Sequence, residues 1–414
     1  MSTFIPFKAY RPIKEKAKEV ASKPYDVLNR EEAKKESEGN PLSFYHIIKP
    51  EIDFPDGFNS YAPEIYRKGK ENFDGLVSDG IMVQDHSEQF YVYQLNMNGH
   101  EQTGLVGCCA IEDYFNNVIR KHELTRPDKE EDRKNHIRTS KLNYEPVFFS
   151  YPQVASVDTK VEAVKTGPPE YEFTSNDGIK HKLWVIKEEN LIRRITELFK
   201  NEVPTIYIAD GHHRTSAGAS VGKELKNGHL NGSKADYFMA VLFPDNQLKI
   251  LDYNRVVNNL NGLSAEAFIE RLSQDFVVEQ KNGKYKPEAL HTFGMYLNGA
   301  WYKLTAKPST YDDSPIGQLD VTVLSLSVLG PILDIVDLRT DKRIDFVGGM
   351  RGLSELERRV DSGEMAVAFA LYPVSMKQMI NISDSGLVMP PKVTWFEPKL
   401  RSGLFVYSLE DDLH

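Results

Sequence analysis

The chain has 414 residues, too many for one ordinary core, so two or three compact units are expected. With 40% hydrophobic, 11% aromatic and 27% charged residues it reads as globular, which excludes wholesale disorder and a fibrous repeat. A formal net charge of −9 sets the molecule as a whole against polyanions, so general nucleic-acid binding is disfavoured while a local phosphate site is not.

The N-terminal MSTFIPFKAYRP carries no apolar run of signal-peptide length, and nowhere do about 18 apolar residues run together, so neither export nor membrane spanning is expected. Pro6, Pro12 and the extended SKPYDVL lead to a charged helix over Arg30–Glu38. From Phe90 to Ile111, alternation on both sides of Asn98-Gly99 predicts a hairpin. It carries the chain's two cysteines, Cys108 and Cys109; sequence neighbours make poor disulfide partners, which fits a reducing, cytoplasmic compartment. Asp113 to Lys141 reads as helical and densely charged, and Pro146–Tyr151 as a buried strand. Gly167 to Asp177 reads as a polar connection, followed by a strand at His181–Ile186, a helix over Glu188–Lys200 and a strand at Thr205–Ala209.

Strands are expected at Tyr237–Phe243 and Leu248–Tyr253 and a helix over Ser264–Asp275, with a turn-rich boundary from Lys281 to Pro287. That boundary suggests a division into 1–280 and 281–414. The second part alternates helix (Val321–Leu333), strand (Arg343–Val347), helix (Ser354–Val360), strand (Met365–Tyr372) and helix (Ser375–Ile382). Capping-box spacing is present at Ser354/Glu357 and Ser375/Gln378. The expected class is α+β: a mixed-sheet N-terminal portion and a C-terminal α/β portion.

The chemistry concentrates in TIYIADGHHRTSAGAS, where an apolar strand ends, Asp210 and Gly211 turn the chain, and a helix begins near His213 or Arg214. Free amides at a helix start attract phosphate, Gly211 lets backbone approach the anion, and His212, His213 and Arg214 add donors. Asp210 suits either a general base or a ligand for magnesium brought with a nucleotide. The plain alternative is a helix cap with surface histidines. A second cluster, IRKHELTRPDKEEDRKNH, offers Lys121, His122, Glu123 and Arg126; its charges equally suit a solvated helix, but a carboxylate beside a histidine suits a base or metal ligand. No pair of histidines or cysteines has zinc-motif spacing, so no structural metal is expected. Candidate lining residues are Ser22, Tyr25 and Asp26 of SKPYDV, Arg351 after the Gly348-Gly349 turn, and Lys392, Glu397, Lys399 and Arg401 of a proline-stiffened loop.

Taken together, PFKAYRP, SKPYDV, NPLSFYHIIKPEID, TGLVGC, KHELTR, ADGHHR, LDYNRVV, RIDFVGG and MPPKVTWFEPKLRSGL resemble, over nearly the whole chain, the family named domain of unknown function 1015. Its DGHHR segment is in turn similar to the central motif of the ParB and sulfiredoxin superfamily, which surrounds nucleotide phosphates with a glycine, a basic pair and a helix start. That superfamily includes free serine kinases, which carry a similar D-G-x-H-R segment and an upstream catalytic glutamate. The resemblance implies phosphate-site roles for Asp210, His212, His213 and Arg214, and the acid's role for Glu123. It implies ATP or ADP with magnesium as cofactor and a small hydroxyl compound, free serine among the candidates, as substrate. The competing expectations are a nucleotide-sensing or DNA-associated module and a phosphate-ester hydrolase.

Overall fold

The computed structural model describes residues 1–227 and 233–410. It has two units, Met1–Leu248 with Pro398–His414, and Lys249–Glu397. The division therefore falls earlier than residue 280, and the chain's end returns to the first unit. The reason is strand pairing: Tyr253–Val257 and Phe276–Lys281, placed before the expected cut, form ladders with Ile344–Gly348 and Ala300–Ala306 after it. Among the described residues no helix is long and apolar enough to cross a membrane.

The first unit is built on a nine-stranded mixed sheet. In spatial order run Ile119–Arg120, Ile206–Asp210, Val147–Tyr151, Tyr237–Pro244, His100–Ala110, Phe90–Met97, Lys180–Ile186 and Tyr171–Thr174, with Phe4–Ile5 also pairing on His100–Ala110. The Asn98-Gly99 hairpin forms as expected, because both residues adopt the positive φ that such a tight turn requires (53° and 83°). Cys108 and Cys109 are both buried free thiols on its second strand. Tyr171–Thr174 is a strand inside what reads as a connection; it sits at the sheet edge, where a short, half-exposed segment gives little apolar signal.

Among the described residues two ladders are parallel, Tyr237–Pro244 with Val147–Tyr151 and Ile206–Asp210 with Ile119–Arg120. The second sets up the candidate site. The stretch expected to be helical from Asp113 to Lys141 breaks into a short helix, Ile111–Phe115, the strand Ile119–Arg120 and the helix Pro127–Ser140. Pro127 at the first helical position explains the late start. KHE and DGHHR thus follow neighbouring parallel strands and leave the sheet at the same end. Behind the strand, the helix His212–Asn227 packs closely because its small residues allow it: a Cβ on Gly222 would lie 2.5 Å from the Ala235 carbonyl. Phe4, Phe90, Phe149, Phe199, Ile206 and Leu242 belong to the core around the sheet.

The second unit carries a six-stranded sheet, in order Phe276–Lys281, Ala300–Ala306, Thr292–Leu297, Val367–Ala370, Tyr253–Val257 and Ile344–Gly348. Every ladder in it is antiparallel, so its alternating helices and strands do not form parallel crossovers. The helix Gly352–Asp361 starts before Ser354, so the capping box expected there does not form and Ser354 instead accepts from the Lys284 ammonium at 2.7 Å. The Ser375/Gln378 box does form. The expected Val321–Leu333 helix is Asp320–Leu324 with a π-helical turn to Leu329, which stops short of Pro331.

Candidate functional site

The strand Ile206–Asp210 pairs Ile208 with Phe149 and then Asp210 with Phe148, so Ala209 is an extra residue in the ladder. Such a bulge bends the strand and re-aims the residues beyond it. Gly211 then takes φ +90°, open to glycine and strained for other residues, and the helix starts at His212. A Cβ at Gly211 would lie 3.1 Å from Cζ, Nε and Nη2 of Arg214, so the glycine also makes room for the guanidinium folded back beneath the turn.

Asp210 is the hub. Its Oδ2 accepts from Arg214 Nη2 at 2.9 Å and its Oδ1 from the Lys399 ammonium at 3.1 Å. Arg214, its side chain only 6% exposed, also donates to the Pro146 carbonyl at 2.8 Å and lies 4.0 Å from the Asp26 carboxylate. Burial works to raise the Asp210 carboxyl, but Lys399 and Arg214 override it and hold the group well below the usual carboxylate range. A carboxylate so acidic is a poor general base. With a cation on each oxygen it also does not fit a magnesium ion, whose charge Arg214 and Lys399 would repel. Asp210 is a positioning residue that holds two cations at the turn.

Beside it, His122 and His212 meet edge to face with ring centroids 4.5 Å apart. Burial pushes the His122 imidazole down to about 4, against the pull of Asp210, and lowers His212 as well, so both are neutral near pH 7. Glu123 stands with them: one ligand atom from each of His122, Glu123 and His212 lies within 4.8 Å of the others. Glu123 and His212 border a pocket of about 40 Å³ lined also by Lys121, Thr125 and Ile208. The expectation of no metal rests on linear spacing; these donors are brought together by parallel strand pairing instead. His213 turns away and accepts the backbone N–H of Arg126 at 2.9 Å, while the exposed Arg126 side chain pairs with Asp128.

SKPYDV reaches the site through Asp26 and through Glu145. Glu145 accepts from the Tyr25 backbone N–H and from Ser402 Oγ, and lies 3.5 Å from Arg133, whose guanidinium covers the Tyr25 ring at 3.8 Å. Ser22 pairs its backbone with Ser402. Arg401 is directed to Ser175 and Asp177. Arg351, Lys392 and Glu397 belong to the second unit. Arg351 lies in the 3-10 turn Gly349–Arg351, the Lys392 ammonium stands 5.9 Å over Tyr253, and Glu397 accepts from the Trp395 indole at 2.9 Å. Glu145 and Pro146 are site neighbours that the sequence reading misses. A signal for them exists, since a carboxylate next to an apolar strand in YEPVFF demands a buried partner.

No curated protein matches the chain. Among solved structures, SbnI with a C-terminal truncation from Staphylococcus aureus is 14% identical, with a TM-score of 0.39 over 75% of this chain and 90% of that one. A conserved hypothetical protein from Pyrococcus furiosus is 14% identical, with a TM-score of 0.36 over 72% and 94%. A free serine kinase in complex with AMP is 13% identical, with a TM-score of 0.33 over 70% and 86%. A family model described as protein of unknown function (DUF1015) matches residues 4–322, and the chain belongs to that family.

Proposed function

We propose that the DGHHR turn binds the phosphates of a nucleotide, ATP or ADP with magnesium, and that the protein transfers a phosphoryl group to a small hydroxyl compound, with free serine the first acceptor to test. The observation that carries this reading is the pair of cations, Arg214 and Lys399, held by one carboxylate at a glycine turn that opens a helix. Two positive groups are gathered on Asp210 at that turn, and the first helical amides lack carbonyl partners within the helix. That combination suits an anion whose charge is spread over several oxygens. Magnesium bound to the nucleotide's own phosphates would supply charge neutralisation there. Within the chain, Arg214 and Lys399 bind and orient, Lys121 adds charge at the neighbouring pocket, and Glu123 is the carboxylate available to receive the acceptor's proton.

The test is calorimetric titration with ATP and ADP, followed by incubation with magnesium, nucleotide and a panel of hydroxy amino acids and mass detection of the phosphorylated product. Micromolar-range binding, weakened at least about tenfold by Lys399→Met, is expected. Absence of both binding and product would overturn the reading. Phosphate released without an acceptor would instead indicate a phosphate-ester hydrolase. A salt-dependent DNA shift would point to a nucleic-acid module.

A further inference from the structure

We infer that His122, Glu123 and His212 form a binding site for a first-row divalent transition metal of the zinc class. Their ligand atoms lie within 4.8 Å of one another, while metal–ligand bonds of about 2.1 Å require donors about 3.0–3.4 Å apart. Small side-chain rotations close that gap. The framework for the donors is already set. His122 and Glu123 leave the end of one strand, His212 opens the helix after its parallel neighbour, and the two imidazole planes stand 87° apart, able to converge on one point from different directions.

A second, independent observation comes from His212 itself. The residue is 7% exposed, yet its Nε2 is buried without a hydrogen-bond partner. An orphaned buried nitrogen costs about 1–3 kcal/mol unless something binds it. It borders the pocket of about 40 Å³, room enough for an ion with a water. Imidazole donors select zinc, cobalt, nickel or iron over magnesium, so this is a different ion from the one a nucleotide brings.

Three protein ligands leave at least one position open, the arrangement of a site that acts on a bound molecule or water. Bound through one oxygen, Glu123 keeps the other for a proton, so the metal does not exclude phosphoryl transfer. The inference is independent of that reading and is tested without nucleotide.

Chelator-treated protein is titrated with cobalt(II) and zinc(II). Cobalt should develop the visible bands of a nitrogen- and oxygen-ligated ion, and zinc should displace it and raise the thermal midpoint. Glu123→Gln, which keeps the side chain's size, and His212→Ala should each weaken binding at least about 100-fold, while the exposed His86→Ala should leave it unchanged. If His212→Ala fails to fold, Glu123→Gln decides. Cobalt giving only the spectrum of the aqua ion, or binding untouched by Glu123→Gln, would overturn the inference.

Discussion

Replacing Asp210 with Asn keeps the size of the side chain and removes the charge between Arg214 and Lys399. Taking one partner from a fully buried ion pair costs about 3–5 kcal/mol. Asp210's side chain is 25% exposed, so water offsets part of the loss and about 2–3 kcal/mol remains. For a unit of this size that corresponds to a drop of about 5–10 °C in Tm. The contribution also has a pH signature. A carboxyl held below its ordinary value stabilises the fold above about pH 4 and loses that effect as pH falls toward the depressed value. In urea unfolding, the gap between wild type and Asp210→Asn should therefore be full at pH 7 and smaller by about 1 kcal/mol at pH 3. A gap that is the same at both pH values, or absent at pH 7, would refute the assignment of Asp210 as the hub of an ion-paired turn.

Gly211→Ala places a side chain at φ +90° and a Cβ 3.1 Å from the Arg214 guanidinium, so it should cost about 1–3 kcal/mol in urea unfolding. In the second unit, burial raises the Asp320 carboxyl to about 7, although Oδ1 accepts from the His291 backbone N–H. The protonated form is thus favoured in the fold, its stabilising effect complete below about pH 4 and lost as pH rises to about 7, a loss on the order of 4 kcal/mol. Asp320→Asn, permanently neutral, should lose less stability than wild type between pH 5 and pH 8; parallel melting curves would exclude this. Ser375→Ala should cost about 1 kcal/mol through the lost cap, whereas Ser354→Ala should stay within about 0.5 kcal/mol because Ser354 caps nothing. Chemical denaturation of the two variants side by side checks the contrast.

The elements legible in the sequence are those whose signals are local. The Asn98-Gly99 hairpin, the buried strand after Pro146 and the strand, turn and helix around DGHHR each carry their apolar pattern and turn residues within about 20 positions. The same Asn-Gly signal recurs at Asn298-Gly299, where both residues take positive φ in a second hairpin, Thr292–Leu297 with Ala300–Ala306, which is not among the expected elements. What the sequence hides is pairing at a distance. Nothing near Pro398 announces that the chain's end rejoins the first unit, and nothing near Tyr253 announces that its strand joins partners some 90 to 110 residues later. A cut placed at the turn-rich Lys281–Pro287 run follows local composition, whereas the units follow the ladders.

The same distinction governs the site. Asp210 to Arg214 are adjacent in sequence, so their grouping is evident, but their roles depend on residues far away. Lys399, 189 positions on, joins Arg214 on Asp210 and makes it a holder of cations, whereas the carboxylate read without those two contacts suits proton transfer or magnesium. His122 and His212 are 90 positions apart and show no metal-motif spacing, yet one parallel ladder of two residue pairs, Ile206 with Ile119 and Tyr207 with Arg120, sets them side by side. A helical reading of Asp113 to Lys141 removes that ladder, and the grouping of KHE with DGHHR then rests on the family resemblance alone. The short strand Ile119–Arg120 is thus the element on which the grouping depends: it sets His122 and Glu123 beside His212, at the start of the helix that follows the ion-paired Asp210 turn.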